Sequence, residues 1–261
     1  MLNFFKITPG TQPDQKYSAQ IPTLVEDGDL SIFDKGYFKI QTLFNIAAIG
    51  AYFLTRLVSS VNVFDATGEK LDLIQVLQSH IGDSLDKQVV FKKDDYTVSC
   101  RLLGYRVPEY VANDRRCKIK AQAKKEGYTP TQKTLALCDW TLLITNASAL
   151  LIPIESALDF YALRWQIELI FKQFKSVLSI HRSNTTNHWR LLCEIYGKLI
   201  ASALLFQFHA RLNIDLWNAQ KKEVSFDKFF KRFVDRSFCL TKLLLTSITN
   251  AIEFCHSQFY L

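Results

Sequence analysis

Short apolar runs separated by turn residues open the chain. The run "LNFFKIT" at 2–8 predicts a strand, and the proline-bounded segment 9–13 predicts the turn after it. A second strand, "DLSIF", is predicted at 29–33. The segment 37–49 then has helical spacing, and "AYFLTRLV" at 51–58 has the pattern of the next strand. A strand–helix–strand unit of this kind predicts an α/β fold.

An acidic residue stands where the second predicted strand ends. Asp34 follows "DLSIF", and Gly36 just after it suits a sharp turn into a helix. Open α/β sheets bind their ligands at the carboxyl ends of parallel strands, so Asp34 is a candidate ligand-binding residue. Capping a helix N-terminus is an equally good explanation from the local sequence.

The pattern of apolar and polar residues changes at about residue 60 and again at about residue 153. Residues 60–146 alternate strands and turns around one basic helical segment, which predicts a β-rich insertion. From 153 onward the pattern is helical, with helices predicted at about 154–179 and 187–212 and two more before the C-terminus. We therefore divide the chain into a partial α/β core at 1–59, a β-rich insertion at 60–150 and a helical remainder at 151–261.

Composition excludes several classes of protein. Of 261 residues 48% are hydrophobic and 13% aromatic, so the chain is not disordered. Its six cysteines form no CxxC pair, which indicates reduced thiols in a cytoplasmic protein. The apolar run at 43–54 is shorter than the roughly 20 residues of a membrane helix and contains Asn45, so we expect no membrane partner.

Positive charge favours an anionic partner. The net charge is +7, and "RRCKIKAQAKK" at 115–125 concentrates six cations, among them Arg115 and Lys118. Two interpretations remain open for this segment, namely a helix that contacts phosphates and an ordinary solubilising helix.

One face of the helix predicted at about 154–179 carries two cations, a carboxylate and a phenol. Treated as a single helix, "YALRWQIELIFKQFK" places Tyr161, Arg164, Glu168 and Lys175 within a sector roughly 60° wide. A solvated stripe would show the same pattern. A carboxylate among cations, with Asp34 at a strand end, also suits divalent-metal phosphoryl transfer: carboxylates bind Mg²⁺ or Mn²⁺ while cations hold phosphates.

The spacing Y-x2-R-x3-E-x6-K resembles the signature of the IS4 family of DDE transposases. "LSIFDKGYF" is similar to the segment that carries the second catalytic aspartate of that family, and "RWQIELIFKQFKS" and "DWTLLITN" also resemble family sequence. The resemblance extends over most of residues 2–210. It implies an RNase H-like core interrupted by a β-rich insertion, with metal-dependent DNA cleavage and strand transfer at the ends of an insertion sequence.

The resemblance also implies roles for individual residues. Asp34 and Glu168 would be catalytic ligands for two Mg²⁺ or Mn²⁺ ions. Double-stranded DNA, as transposon end and target, would be held by eight side chains in a nucleoid-associated homodimer. The DNA-binding residues so implied are Tyr161, Arg164, Trp165, Lys172, Lys175, Trp140, Arg115 and Lys118. Trp165 and Trp140 would stack on an extruded base, although a core position on a strand explains Trp140 as well.

The third acid of the family's triad has no counterpart in the sequence. Asp14, Asp27 and Asp29 precede Asp34, and none of them ends an apolar strand of its own. We therefore expect the first catalytic aspartate and the first two core strands to be missing, so that the chain is the C-terminal part of a transposase and inactive alone. The alternative function is a non-catalytic DNA-binding or inhibitory fragment.

Overall fold

The structure is a computed structural model and describes residues 16–176, 179–180, 182–183, 185–236 and 250. The predicted strand at 2–8, its turn and the last predicted helix lie outside these residues. The described residues form two compact units that divide after Trp165. We call them the sheet unit, up to Trp165, and the helical unit, from Gln166.

The sheet unit contains one mixed sheet of five strands. Its strands are β1 (Leu30–Phe33), β2 (Tyr52–Arg56), β3 (Ser84–Lys93), β4 (Tyr96–Arg106) and β5 (Trp140–Thr145). They lie in the order β1-β2-β5-β4-β3, with β1 and β2 parallel and every other neighbouring pair antiparallel. The strands of the predicted insertion thus continue the sheet that β1 and β2 begin.

Helices connect and cover the strands. They are α1 (Ile40–Ala48), α2 (Leu73–Ser79), α3 (Glu109–Glu126), α4 (Gln132–Ala136) and α5 (Ile154–Ala162). Side chains cap several of them: the Asp72 carboxylate accepts hydrogen bonds from the backbone N–H groups of Ile74 and Gln75 at the start of α2. The mixed α/β class is confirmed. The prediction of one helix between 60 and 146 was wrong, because α2 and α4 are too short for their hydrophobic period to be recognised.

Apolar side chains cover both faces of the sheet. One face packs against α1 and α2 in a large core that includes Phe53, Phe91 and Leu102. The other face is smaller and packs against α5, with Leu54 and Leu143 fully buried. Because successive strand residues point to opposite faces, even-numbered positions of β1 and β2 belong to the α5 face.

A buried arginine joins the sheet to the segment that leads into α5. Arg101 on β4 is 4% exposed, and its guanidinium forms a two-pronged pair with the carboxylate of Asp86 on β3. The same guanidinium donates to the carbonyl oxygens of Ala147 (3.1 Å) and Ile152 (2.9 Å). One side chain therefore satisfies two backbone acceptors and one carboxylate, and it fixes where α5 begins.

A tyrosine on the same strand makes the stability of the sheet unit sensitive to alkali. The Tyr105 hydroxyl donates to the Ile154 carbonyl oxygen at 2.6 Å, and burial raises the Tyr105 pKa from its ordinary 10.0 to about 12. The folded state thus holds this proton more tightly than the unfolded state. The resulting contribution to stability is complete below pH 10 and is lost as the pH rises toward 12.

We expect Tyr105→Phe to lower the free energy of unfolding by about 1 kcal/mol below pH 10, because one hydrogen bond is lost. The difference in the free energy of unfolding between this variant and the unmodified protein should shrink as the pH rises above 10. Urea unfolding at several pH values measures both effects. A difference that is constant or grows with pH would contradict the assignment.

The helical unit is built from α6 (Trp165–Ser176), α7 (His188–Gln220) and α8 (Phe226–Asp235). The α6 helix begins at the last residue of the sheet unit. Leu212 and Leu216 of α7 pack with Phe229 and Phe230 of α8. The Asn213 side chain closes this hairpin, since its carbonyl oxygen accepts from the Val224 backbone N–H at 2.9 Å.

The α7 helix corrects one expectation about apolar segments. By length and composition alone it is a candidate membrane span, the single one found among the described residues, whereas the sequence pattern had placed the longest apolar run at 43–54. One such helix is weak evidence for a membrane, because a core helix of a soluble protein passes the same test.

Candidate active site

Asp34 stands at the carboxyl end of β1, where the sequence placed it. Its backbone is extended, and its carboxylate accepts a hydrogen bond from the Lys35 N–H at 2.7 Å at the start of a 3₁₀ turn, Lys35–Tyr37. Asp34 therefore caps this turn and also occupies the end of a parallel strand. Capping and a place at the end of a parallel strand, the two interpretations that the sequence left open for Asp34, therefore do not exclude each other.

An arginine that the sequence analysis missed lies beside this position. In the parallel register Phe33 faces Thr55, so the next residues, Asp34 and Arg56, follow side by side at the same edge of the sheet. Both are even-numbered and fall on the α5 face. Little in the sequence signalled it, because Arg56 lies inside the strand predicted at 51–58 and ends the strand only in the structure, where β2 stops at Arg56.

Tyr161 packs on the same face from the last turn of α5. It is 9% exposed and belongs to the core with Leu54 and Leu143. Burial raises the pKa of its hydroxyl, the Asp34 carboxylate raises it further, and the Arg164 and Arg56 guanidinium groups act in the opposite direction. These influences place Asp34, Arg56 and Arg164 within electrostatic range of the Tyr161 hydroxyl.

Arg164 lies in the turn after α5, and Trp165 follows it as the first residue of α6. The Arg164 guanidinium carbon is 5.7 Å from the centre of the Tyr161 ring and 5.6 Å from the centre of the Trp165 ring. Trp165 is 58% exposed, so one face of its indole is accessible. An exposed aromatic ring beside a cation is the arrangement that stacking on an unpaired base requires.

The single helix assumed for residues 154–179 was wrong. The α5 helix ends at Ala162, and the backbone N–H groups of Leu163 and Arg164 bond to the carbonyls three residues earlier, which tightens the chain into a turn. The α6 helix then starts at Trp165. Tyr161 and Glu168 are therefore on different helices, and the argument from one helical sector fails.

The rest of the predicted signature shares one face of α6. Glu168, Lys172 and Lys175 are exposed and line an open groove together with Phe171 and Ser176. Their spacing of four and three residues explains this, since such positions stack along one side of a helix. The helix break leaves this part of the signature intact.

Three other predicted DNA-binding residues have partners within the sheet unit. The Arg115 guanidinium donates to the carbonyl oxygens of Cys138 and Trp140 and to the Thr141 hydroxyl, and burial lowers its pKa. Trp140 is 6% exposed, with the Arg106 guanidinium 4.8 Å from its ring centre, which is the core position considered from sequence. Lys118 is exposed and pairs with Asp114 at 2.7 Å.

The carboxylates fit a divalent-metal site only in part. Asp34 and Glu168 supply the hard oxygen donors that Mg²⁺ and Mn²⁺ prefer. Among the described residues, however, no group of three Asp, Glu, His or Cys side chains is placed to hold a metal ion. A two-ion site needs several such ligands around the ions, so neither carboxylate forms one by itself.

Comparison with known proteins gives consistent matches. The family model for the transposase DDE domain matches residues 2–204. The chain is 29% identical over 266 residues to the transposase for insertion sequence element IS231F of Bacillus thuringiensis subsp. israelensis, which covers 95% of this chain and 55% of that protein. It is 24% identical over 245 residues to the transposase for IS1151 of Clostridium perfringens, covering 87% and 52%.

These matches have a limited extent. The chain spans about half the length of the curated relatives it matches. A third relative is the putative transposase InsL for IS186A of Escherichia coli (strain K12). It is 27% identical to the chain over 114 residues, which cover 44% of this chain and 31% of that protein. No solved structure matches the chain.

Proposed function

The chain belongs to the transposase DDE domain family, and from this premise we propose that it takes part in DNA transposition by binding the ends of an insertion sequence. The resemblance to DDE transposases that the sequence indicated is confirmed. The observation that carries the proposal is the placement of Asp34, Arg56 and Arg164 around Tyr161, with Asp34 and Arg56 at the carboxyl edge of two parallel strands.

Two groups of cations supply the proposed contacts with DNA phosphates. Arg56 and Arg164 lie around Tyr161, and Lys172 and Lys175 line the groove on α6. Guanidinium and ammonium groups bind phosphodiester oxygens and release counterions, which gives affinity without sequence preference. Trp165 adds an exposed ring for stacking on an unpaired base. Tyr161, which is buried, would position Arg164 beneath its ring.

Asp34 and Glu168 would hold the metal ions of an intact site. Bound Mg²⁺ or Mn²⁺ ions there supply charge neutralisation for the attacking and leaving oxygens of an in-line phosphoryl transfer. The DDE pattern calls for a third carboxylate, and none of the described residues joins Asp34 and Glu168 in a cluster of three. We therefore propose that this chain binds DNA but does not cut it unless another segment supplies that ligand.

An inhibitory role is the second candidate, and it is favoured by the absence of a three-ligand metal cluster among the described residues. A chain that occupies transposon ends without completing the metal site would compete with an active transposase for those ends. The proposal further includes an RNase H-like origin for the parallel pair β1 and β2, assembly as a homodimer on two DNA ends, and association with the nucleoid.

A DNA titration with a cleavage assay tests this function. We expect the 261-residue chain to bind a labelled duplex, with the logarithm of the affinity falling linearly with the logarithm of salt by about 0.9 per phosphate contacted. Supercoiled plasmid incubated with the chain and Mg²⁺ or Mn²⁺ should remain unnicked. Fluorescence anisotropy and gel electrophoresis provide the two measurements.

The two parts of the result have separate meanings. Nicking that depends on Mg²⁺ and disappears in Asp34→Ala would show that the metal site is complete, and it would overturn the non-catalytic assignment. Absence of salt-dependent binding would remove the DNA-binding function itself.

A further inference from the structure

A basic basin lies in the helical unit and is formed by side chains other than those assigned above. It is lined by Arg182, Thr185, Arg190, Glu194 and Lys198, from the segment before α7 and the first turns of that helix. Its volume is about 460 Å³ and it is open to solvent. None of these residues belongs to the transposase signature, so their clustering needs its own explanation.

Hydrogen bonds hold the basin in a defined shape. The Lys198 ammonium donates to the carbonyl oxygens of Ser179 and Arg182, both at 3.2 Å, and pairs with the Glu194 carboxylate at 2.8 Å. The other oxygen of Glu194 accepts from the Ser183 hydroxyl at 2.8 Å. Ser179, Arg182 and Ser183 are thereby bonded to Lys198 and Glu194 of α7.

The charges of the basin do not cancel. Lys198 and Ser183 lower the pKa of Glu194 and the nearby Arg190 adds to this effect, so the ionised carboxylate offsets one of the three cations of the basin. Arg182 and Arg190 are exposed, and neither has an ion-pair partner among the residues that the structure describes. Two positive charges therefore remain available to an anion.

The start of α7 strengthens the preference for an anion. The Asn187 side chain accepts hydrogen bonds from the backbone N–H groups of Trp189 and Arg190 and so caps the helix. The N-terminus of a helix of 33 residues carries a partial positive charge beside the basin. Arginine fits phosphate especially well, because its planar guanidinium donates two parallel hydrogen bonds.

We propose that the basic basin is a second phosphate-binding site, which takes the backbone of the bound DNA through Arg182 and Arg190. This inference rests on the proposed DNA-binding function and extends it to a surface outside the signature residues. An open basin with two exposed guanidinium groups suits a continuous phosphodiester chain, which passes across it. A contact here would lengthen the DNA site of each chain and increase its salt dependence.

The test uses the full chain and a fluorescently labelled duplex of arbitrary sequence in anisotropy titrations at several KCl concentrations. In Arg182→Ala/Arg190→Ala we expect the affinity to fall on the order of tenfold and the salt slope to become shallower by about 2. The matched control is Arg211→Ala/Arg236→Ala, which removes two exposed arginines of the same unit. Arg211 is about 31 Å along α7 from Arg190.

The possible outcomes separate this inference from the proposed function. An affinity and slope equal to those of the control variant, in a chain that still binds DNA, would overturn the basin alone. If the unmodified chain shows no salt-dependent binding, both proposals fall together. Circular dichroism confirms that both variants are folded, which is expected because all four arginines are exposed.

Discussion

Replacing Arg101 with methionine is expected to lower the free energy of unfolding of the sheet unit by about 3 to 5 kcal/mol. Methionine fills a similar volume, so the loss is mainly electrostatic. Asp86 would lose its partner, and the carbonyl oxygens of Ala147 and Ile152 would lose their donor at buried positions. Since domains are stable by about 5 to 15 kcal/mol, one substitution would remove a large share of the stability.

Hydrogen exchange during urea unfolding measures this effect on the amides of β4 and β5. Arg106→Met is the control, because Arg106 is on the same strand but its side chain is 42% exposed, and it makes one hydrogen bond to the His80 carbonyl oxygen, a contact with the Trp140 ring and a 3.9 Å pair with Asp83. That variant should lose about 1 kcal/mol or less. If Arg101→Met were as stable as Arg106→Met, Arg101 would not hold the segment before α5 in place.

Reversing two charges on α6 is expected to have the largest effect on function. In Lys172→Glu/Lys175→Glu the groove beside Glu168 changes from net positive to strongly negative. Bringing like charges close to DNA phosphates costs several kcal/mol, so we expect the affinity for duplex DNA to fall roughly a hundredfold. The salt slope should also become shallower, because two phosphate contacts are lost.

Lys228→Glu/Lys231→Glu on α8 is the matched control for this variant. These lysines are exposed, are three residues apart like Lys172 and Lys175, and undergo the same change of charge. Anisotropy titrations at one ionic strength compare the two variants. Equal losses of affinity would mean that DNA responds to the net charge of the chain and that the α6 groove makes no specific contact.

Local patterns in the sequence were sufficient to predict the strands and the helix around Asp34. The short apolar run before Asp34 became β1, and the following strand–helix–strand order became β1, α1 and β2 with the expected parallel pairing. The spacing of Glu168 and Lys175 also predicted a shared helical face, since that relation depends only on the period of the helix, and Lys172 lines the same groove in the structure. Family membership followed from the same motif.

Tertiary structure decided the relations between distant segments. The break between α5 and α6 placed Tyr161 in the core and Glu168 on another helix, because a two-residue turn at Leu163 and Arg164 has no glycine or proline to mark it in the sequence. Arg56 joined Asp34 only through the register of β1 and β2. Arg115 and Trp140, both candidates for DNA contacts, have partners within the sheet unit that no local pattern reveals.

The sequence by itself thus determined the α/β class, the position of Asp34 at a strand end and the family of the chain, because each depends on residues close together along the chain. Only the tertiary structure decided which cations surround Asp34, which arginine is structural and where a second basic surface lies. The reason is physical: burial and ion pairing join residues such as Asp86, Arg101 and Ile152, whose proximity is created by folding.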